Sequence, residues 1–317
     1  MGGAVLFAWA VRSAGIAEIL DGIRRVGWGL VIILALGGLR LALRAAAWRV
    51  CMPPGTRLTL RQAFGAFVAG DAVGSVTPLG LLASEPTKVF LTRHHLATRE
   101  GAASLALENI VYAASVVAMV ALGVLVMLVT VPLAAVWRWV AVAALVSVAV
   151  AGAIAARVMR GTWDPARGPR PHWRERLAGV RATALGFTAG DLSRLWRVLL
   201  LDLGFHALAV ADVYLTLGWL LGDASPTLSQ AVIFESFNRI VTVAFKFVPF
   251  RIGVDEALTG ALAPLLAVSP AAGVTLAVVR KVRNLAWSAI GLAIIAAHPA
   301  RSAQQSDPLG SGSVRRP

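Results

Sequence analysis

The stretch SVTPLGLLASEPTK, residues 75–88, sets a Pro-x-Gly break, a carboxylate (Glu85), a second proline and an ammonium (Lys88) inside an otherwise apolar region. Its meaning depends on whether the surroundings are water or lipid. The chain has 317 residues, of which 58% are hydrophobic and 15% charged, and its mean hydropathy is +0.74. That is too apolar for an ordinary soluble domain and too long for a lone anchor. Residues 110–131 and 139–156 carry no charge. Each run is long enough, or nearly so, to cross ~30 Å of hydrocarbon at about 1.5 Å per residue. The many short alternating segments of a membrane barrel are absent. The expected fold is therefore all-α, a polytopic helical membrane protein.

The amino end, MGGAVLFAWAVRSAG, has no basic opening, and its apolar core stops at Arg12. It reads neither as a signal peptide nor as a span, but as an incomplete first helix or an interfacial segment. Residues 15–26 read as a short amphipathic helix. A second helix, 28–48, has a tryptophan at each end, as an aromatic belt would place them. Arg40 and Arg44 share a face near its end and read as snorkelling anchors.

The single cysteine, Cys51, excludes an intrachain disulfide and a cysteine-based metal site. His94, His95, His172, His206 and His298 show no metal-ligand spacing, and no nucleophile-elbow, Walker or dinucleotide signature stands in a credible context. No catalytic residue, metal or cofactor is expected.

The net charge of +14 is not a nucleic-acid footprint, because of where it lies. Residues 157–197 hold nine arginines against three acids, in a Pro/Gly-containing connection between apolar spans. Excess arginine in such a loop marks the cytoplasmic side, where it meets anionic headgroups. From that loop the orientation walks outward in both directions. The helix over 101–131 starts inside, the helix over 196–221 runs out to GDASPT, and the Ser/Gly/Gln-rich tail, 301–317, returns to the cytoplasm as a disordered segment.

The opening break has a counterpart. Phe64 and Phe67 precede Thr77 and Pro78, with Gly80 next and Glu85 seven residues past the proline; Phe234 and Phe237 precede Pro249, with Gly253 next and Glu256 again seven past. The apolar arms beside each break are too short to cross alone, so both read as re-entrant hairpins, within units of about 57–131 and 227–297 of a membrane domain covering 1–300. Three spans separate them, which would make an inverted-topology repeat whose interrupted helices line a midplane cavity.

These segments also carry a family likeness. GDAVGSVTPLGLLASEPTKVFLTR (70–93), the Ala/Ser-rich helix with Glu108 that follows it, VPFRIGVDEALTG (248–260), and Val279-Arg280 resemble the lysylphosphatidylglycerol synthase transmembrane region, or flippase-like domain family. The resemblance runs from about Gly15 to Ala297. It implies a protein of the bacterial inner membrane that moves or handles a modified polar lipid. Members that make the aminoacyl lipid carry a separate soluble transferase domain, for which this chain has no room. Ala83 and Ser84 stand where a glycine is common, just before Glu85.

Charges within hydrocarbon are costly and usually face a bundle interior. Glu85 and Lys88 lie three apart on one face, either neutralising each other or meeting a cationic and a phosphate part of a headgroup. Glu108 with Asn109, and Glu235 with Asn238 and Arg239, flank the two breaks, either lining one cavity or bridging helices. Arg280, Lys281, Arg283 and Asn284 interrupt the last apolar segment and need an anion, either a lipid phosphate or Glu256 and Asp255. Asp202 and His206 are four apart, either a structural pair or a proton relay. Gly70 and Gly74 read as a close-packing pair.

The expectation is a flippase or translocase for a phospholipid-type headgroup, moving it downhill or with an ion gradient because no ATPase motif is present. Two alternatives stay open. One is a non-transporting scaffold for an envelope-lipid biosynthetic enzyme, and the other is a membrane-embedded lipid transferase.

Overall fold

The computed structural model describes residues 9, 11–13, 15–77, 80–160, 192–222 and 224–297. Pro78, the centre of the arginine-rich connection and the tail after Ala297 lie outside the described residues. All regular elements among the described residues are helical. Helix α1 (Ile16–Val26) turns Ile19, Gly22 and Val26 inward while Ile16, Leu20 and Ile23 stay exposed, and glycines at positive φ, Gly15 and Gly27, bound it. An apolar stripe left outside by a helix already packed on its other face suits an interfacial position.

Among the described residues, three helices are long and apolar enough to cross a membrane: α2 (Gly29–Cys51), α5 (Thr98–Thr130) and α7 (Leu192–Leu221). Helices α6 (Ala135–Arg160) and α10 (Pro270–Ala296) have 26 and 27 residues. Outward-facing Val129, Trp137, Trp139, Leu200 and Leu203 give these rods an apolar exterior. Trp28 points outward, as a belt residue would, but Trp48 does not. Its ring is fully buried and its Nε1 donates to Ser104 Oγ at 3.1 Å, because the end of α2 packs inside the bundle.

Between the long helices lie two helical hairpins. The first joins α3 (Leu60–Val76) to α4 (Gly80–Thr92); the second joins α8 (Leu228–Ala244), through a single 3-10 turn at Pro249–Arg251, to α9 (Val254–Leu262). Helices α3 and α8 both have 17 residues, about 25 Å of rise and short of the ~30 Å hydrocarbon core. Both open on the sequence Thr-Leu-x-Gln-Ala and on the same reciprocal cap. Thr59 N donates to Gln62 Oε1 at 2.8 Å and Gln62 N to Thr59 Oγ1 at 3.3 Å, while Thr227 and Gln230 repeat this at 2.7 and 3.2 Å. Each capping glutamine also reaches the far end of its own hairpin. Gln62 Nε2 lies 2.9 Å from His95 Nε2, and Gln230 Nε2 donates to Leu266 O at 2.8 Å. The foot of each hairpin is thus closed, and its two arms begin and end side by side.

The first arm of each hairpin is exchanged between the halves of the molecule. Arm α3 packs against α10, the long helix after the second hairpin, and α8 packs against α5, the long helix after the first. Glycines make both contacts possible. A Cβ on Gly291 would fall 2.5 Å from Val68 O, and one on Gly123 would overlap the Ser236 side chain. Gly123 and Gly291, Val68 and Ser236, and the two capping threonines are all separated by one and the same sequence interval. An apolar core fills each half. Ile33, Val213, Leu217, Phe234, Leu266 and Leu276 form one, and Trp48, Leu58, Phe67, Val89 and Leu105 form the other. Helix α2 contributes to both, and its charged residues, Arg40 and Arg44, fall between them.

Candidate functional site

Arg40 is the twelfth of the 23 residues of α2, so it sits at mid-length, too far from either end to snorkel. It is 9% exposed and Arg44 8%, which corrects their reading as surface anchors. Arg44 is held by α5: its Nε donates to Glu108 Oε1 at 2.5 Å and its Nη2 to Glu108 Oε2 at 2.9 Å, a two-pronged pair. The guanidinium also lies 3.4 Å from the Tyr112 ring centroid. The Tyr112 hydroxyl in turn accepts from Arg239 Nη1 at 3.2 Å.

Arg239 and Glu235, one turn apart on α8, are directly paired. Glu235 takes two further cations, Arg280 of α10 at 3.4 Å and Arg40 of α2 at 4.0 Å. Asp212 of α7 takes Arg283 of α10 and, at 3.5 Å, Arg40. Both carboxylates are 1% exposed. Taking an ion out of water costs several kcal/mol even after relaxation, which only close counter-charges offset. Here four guanidiniums draw on two carboxylates.

A cavity of about 250 Å³ opens beside this layer. Among the described residues, five guanidiniums line it (Arg40, Arg44, Arg239, Arg251 and Arg283), with Asp71 the one carboxylate. Asn238, Asn284 and Ser288 add neutral hydrogen-bonding groups, and Phe67, Tyr112, Phe205 and Trp287 supply apolar wall. Mixed polar and aromatic lining of this size is the usual character of a small-ligand site. Arginine in particular suits phosphate, through its planar fork of donors.

The first hairpin faces the cavity with a second charged group. Lys88, 2% exposed, places Nζ 3.1 Å from both Asp71 Oδ1 and Glu85 Oε1, and 3.8 Å over the Phe67 ring centroid. Its stem fits only because Gly70 has no Cβ, which would also lie 2.9 Å from Ser84 O; Gly74 likewise admits Gly80 O at 3.0 Å. The small pair therefore serves close packing of α3 on α4. Asn109 joins this group to the arginines, donating to Glu85 Oε2 at 3.0 Å and accepting from Arg44 Nη2 at 3.4 Å.

Of the residues singled out from the sequence, Glu85, Lys88, Glu108, Asn109, Glu235, Asn238, Arg239, Arg280 and Arg283 are brought into this one connected layer. Thr77, Gly80, Pro249 and Gly253 instead form the hairpin turns. Thr77 Oγ1 donates to Val73 O at 2.7 Å, and the second turn runs through positive φ at Phe250, Arg251 and Gly253. Glu256 matches Glu85 in spacing but only partly in role. It accepts from Gly253 N at 2.9 Å, capping α9, and binds Lys281 Nζ at 2.5 Å. Asp255 pairs with Arg251 at 2.9 Å. Asp202 and His206 are both buried but not bonded to each other; His206 Nε2 lies 3.1 Å from Ser115 Oγ. Among the described residues, no group of three or more His, Cys, Asp or Glu side chains could hold a metal.

Asp212, Asp71, Tyr112 and Arg251 join the site without having been singled out for it. Asp71 is in the quoted family motif, and Asp212 is, with Asp202, one of two acids in the apolar helix α7, a signal in itself.

The fold and site define a class: a helical integral membrane protein whose interior charges surround a cavity between hairpins whose first arms are exchanged. The chain belongs to the lysylphosphatidylglycerol synthase TM region family, whose model matches residues 2–291, and which links it to lipid handling. No curated protein and no solved structure matches it.

Proposed function

We propose that the protein is a lipid flippase or translocase of the bacterial inner membrane, taking the phosphate of a polar lipid into the arginine-lined cavity while the acyl chains remain in the bilayer. The carrying observation is the cavity wall: five guanidiniums and one carboxylate, among the described residues, at the level where the hairpins meet the long helices. Family membership supports a role with lipids, and only the membrane region of that family is matched.

The two hairpins supply the movement. Each enters and leaves at one foot, so each is read as re-entrant, and the odd number of spans between them, three, gives the two opposite entry sides, the first from the cytoplasm and the second from outside. Opposed hairpins of this kind let one half rock against the other about a fixed site. With the arginine-rich connection inside, the C-terminus is cytoplasmic.

The test is headgroup exposure in proteoliposomes carrying a fluorescent phosphatidylglycerol, quenched from outside. Wild type should move label from the inner to the outer leaflet at least about tenfold faster than empty vesicles. Arg239→Gln should return the rate to background while the protein still elutes as a folded species. Transport unaffected by Arg239→Gln and by Arg280→Ala would remove the cavity from the mechanism.

A further inference from the structure

We infer that the cavity takes a headgroup bearing two negative charges, a phosphomonoester or a diphosphate, in preference to a singly charged phosphodiester or a cationic aminoacyl lipid. This rests on the lipid-site reading above and concerns only what occupies the site.

The argument is a count of buried charge in one layer. Arg40, Arg239, Arg280 and Arg283 are each 9% exposed or less, and among the described residues their ion-pair partners within 4.0 Å are Glu235 and Asp212, Asp255 being a more distant neighbour of Arg280. Two positive charges are left over. Neighbouring pairs do not absorb them: Arg44 is matched by Glu108, Arg251 by Asp255 and Lys281 by Glu256. Asp202 is a further buried carboxylate, but its electrostatic neighbours are Arg44 and Glu108, and it forms no ion pair with any of the four. In the neighbouring group on the first hairpin, of which Asp71 alone lines the cavity, Asp71 and Glu85 exceed Lys88 by one charge, but the Asp71 side chain is 43% exposed and so screened by solvent. The four guanidiniums are close enough to repel, since Arg40, Arg239 and Arg280 share Glu235 and Arg40 and Arg283 share Asp212.

Geometry agrees with the count. Arg40, Arg239 and Arg283 line the main cavity, and Arg280 lines a small adjoining space that shares Asn238, Arg251, Arg283 and Asn284 with it. Cations from α2, α8 and α10 therefore approach one volume from three directions. The main cavity, about 250 Å³, has room for several waters and so for a hydrated phosphate group. A cationic headgroup would enter against two uncompensated charges.

The experiment exchanges the purified protein into detergent micelles containing equal amounts of dioleoyl phosphatidic acid, phosphatidylglycerol and phosphatidylcholine at pH 8, and counts retained lipid by native mass spectrometry. Phosphatidic acid should be retained at least about tenfold over phosphatidylglycerol. Arg40→Gln, which removes one surplus charge, should bring that ratio near one, whereas Arg40→Lys should preserve it; inorganic pyrophosphate at millimolar concentration should displace the lipid. Equal retention of the two anionic lipids, both above phosphatidylcholine, would overturn the two-charge inference and leave a lipid-phosphate site standing. Pyrophosphate binding with no preference among lipids would place a soluble anion in the cavity and overturn the lipid half. No retention of either kind would defeat this inference and the lipid reading together.

Discussion

Arg44 and Glu108 show how a single position can be expensive to change yet unnecessary for the fold. The pair is buried, two-pronged and backed by the Tyr112 ring. Breaking such a pair by removing one member typically costs about 3–5 kcal/mol, because the remaining charge is stranded, while replacing both members with apolar groups is often neutral. Glu108→Leu alone should therefore lower stability by about that amount in SDS unfolding from mixed micelles. Arg44→Met together with Glu108→Leu should recover most of the loss. A double variant as unstable as the single one would show that Arg44 is held by something other than Glu108. The site's other partners follow the same rule, which is why it was only partly legible in the sequence. That charges such as Glu235, Arg280 and Arg283 must face inward follows from their apolar context. That Glu235 serves three arginines from three helices depends on packing, which no local spacing encodes.

At the scale of elements, the hairpins were legible as interruptions, but the marks that identify them were different ones. The proline breaks and the matched Glu85 and Glu256 suggest a repeat, and each glutamate pairs with a lysine, yet only Glu256 also caps its helix, and Glu85 instead accepts from Asn109. The shared Thr-Leu-x-Gln-Ala opening is the better marker, because its glutamine has a physical task in both copies: it caps the first arm and ties down the end of the second. The arms' sides of entry can be read by labelling. In a Cys51→Ser background, cysteines at Arg61 and Arg93 should react with a membrane-impermeant maleimide from one face of the membrane, and cysteines at Ser225 and Leu265 from the other. Reaction of all four from one face would eliminate the inverted arrangement. Arg61 and Arg93 reacting from opposite faces would mean that the first hairpin crosses.

For the molecule as a whole, the exchange of first arms between halves makes each long helix the seat of the other half's short arm, so small residues at the two seats set how closely the halves approach. The seats differ in what they can tolerate. At Gly291 an added methyl meets the Val68 carbonyl, a backbone atom that cannot rotate away, whereas at Gly123 it meets the Ser236 side chain. Ser236 Oγ donates to Met119 O at 2.9 Å across this contact, so pushing the side chain aside also breaks a bond between α8 and α5. Overpacking of this kind costs about 1–3 kcal/mol, and volume-conserving swaps are tolerated best. Gly123→Ala should thus lower the melting temperature and slow lipid movement, and adding Ser236→Gly should restore stability to within about 1 kcal/mol of wild type, since the methyl then occupies the space the serine vacates. Gly291→Ala has no equally small remedy and should be the more damaging single change. If the Gly123→Ala and Ser236→Gly combination recovers stability but not lipid movement, the Ser236 bond to α5 is itself part of how the halves move. If it recovers neither, α8 does not seat on α5 as described.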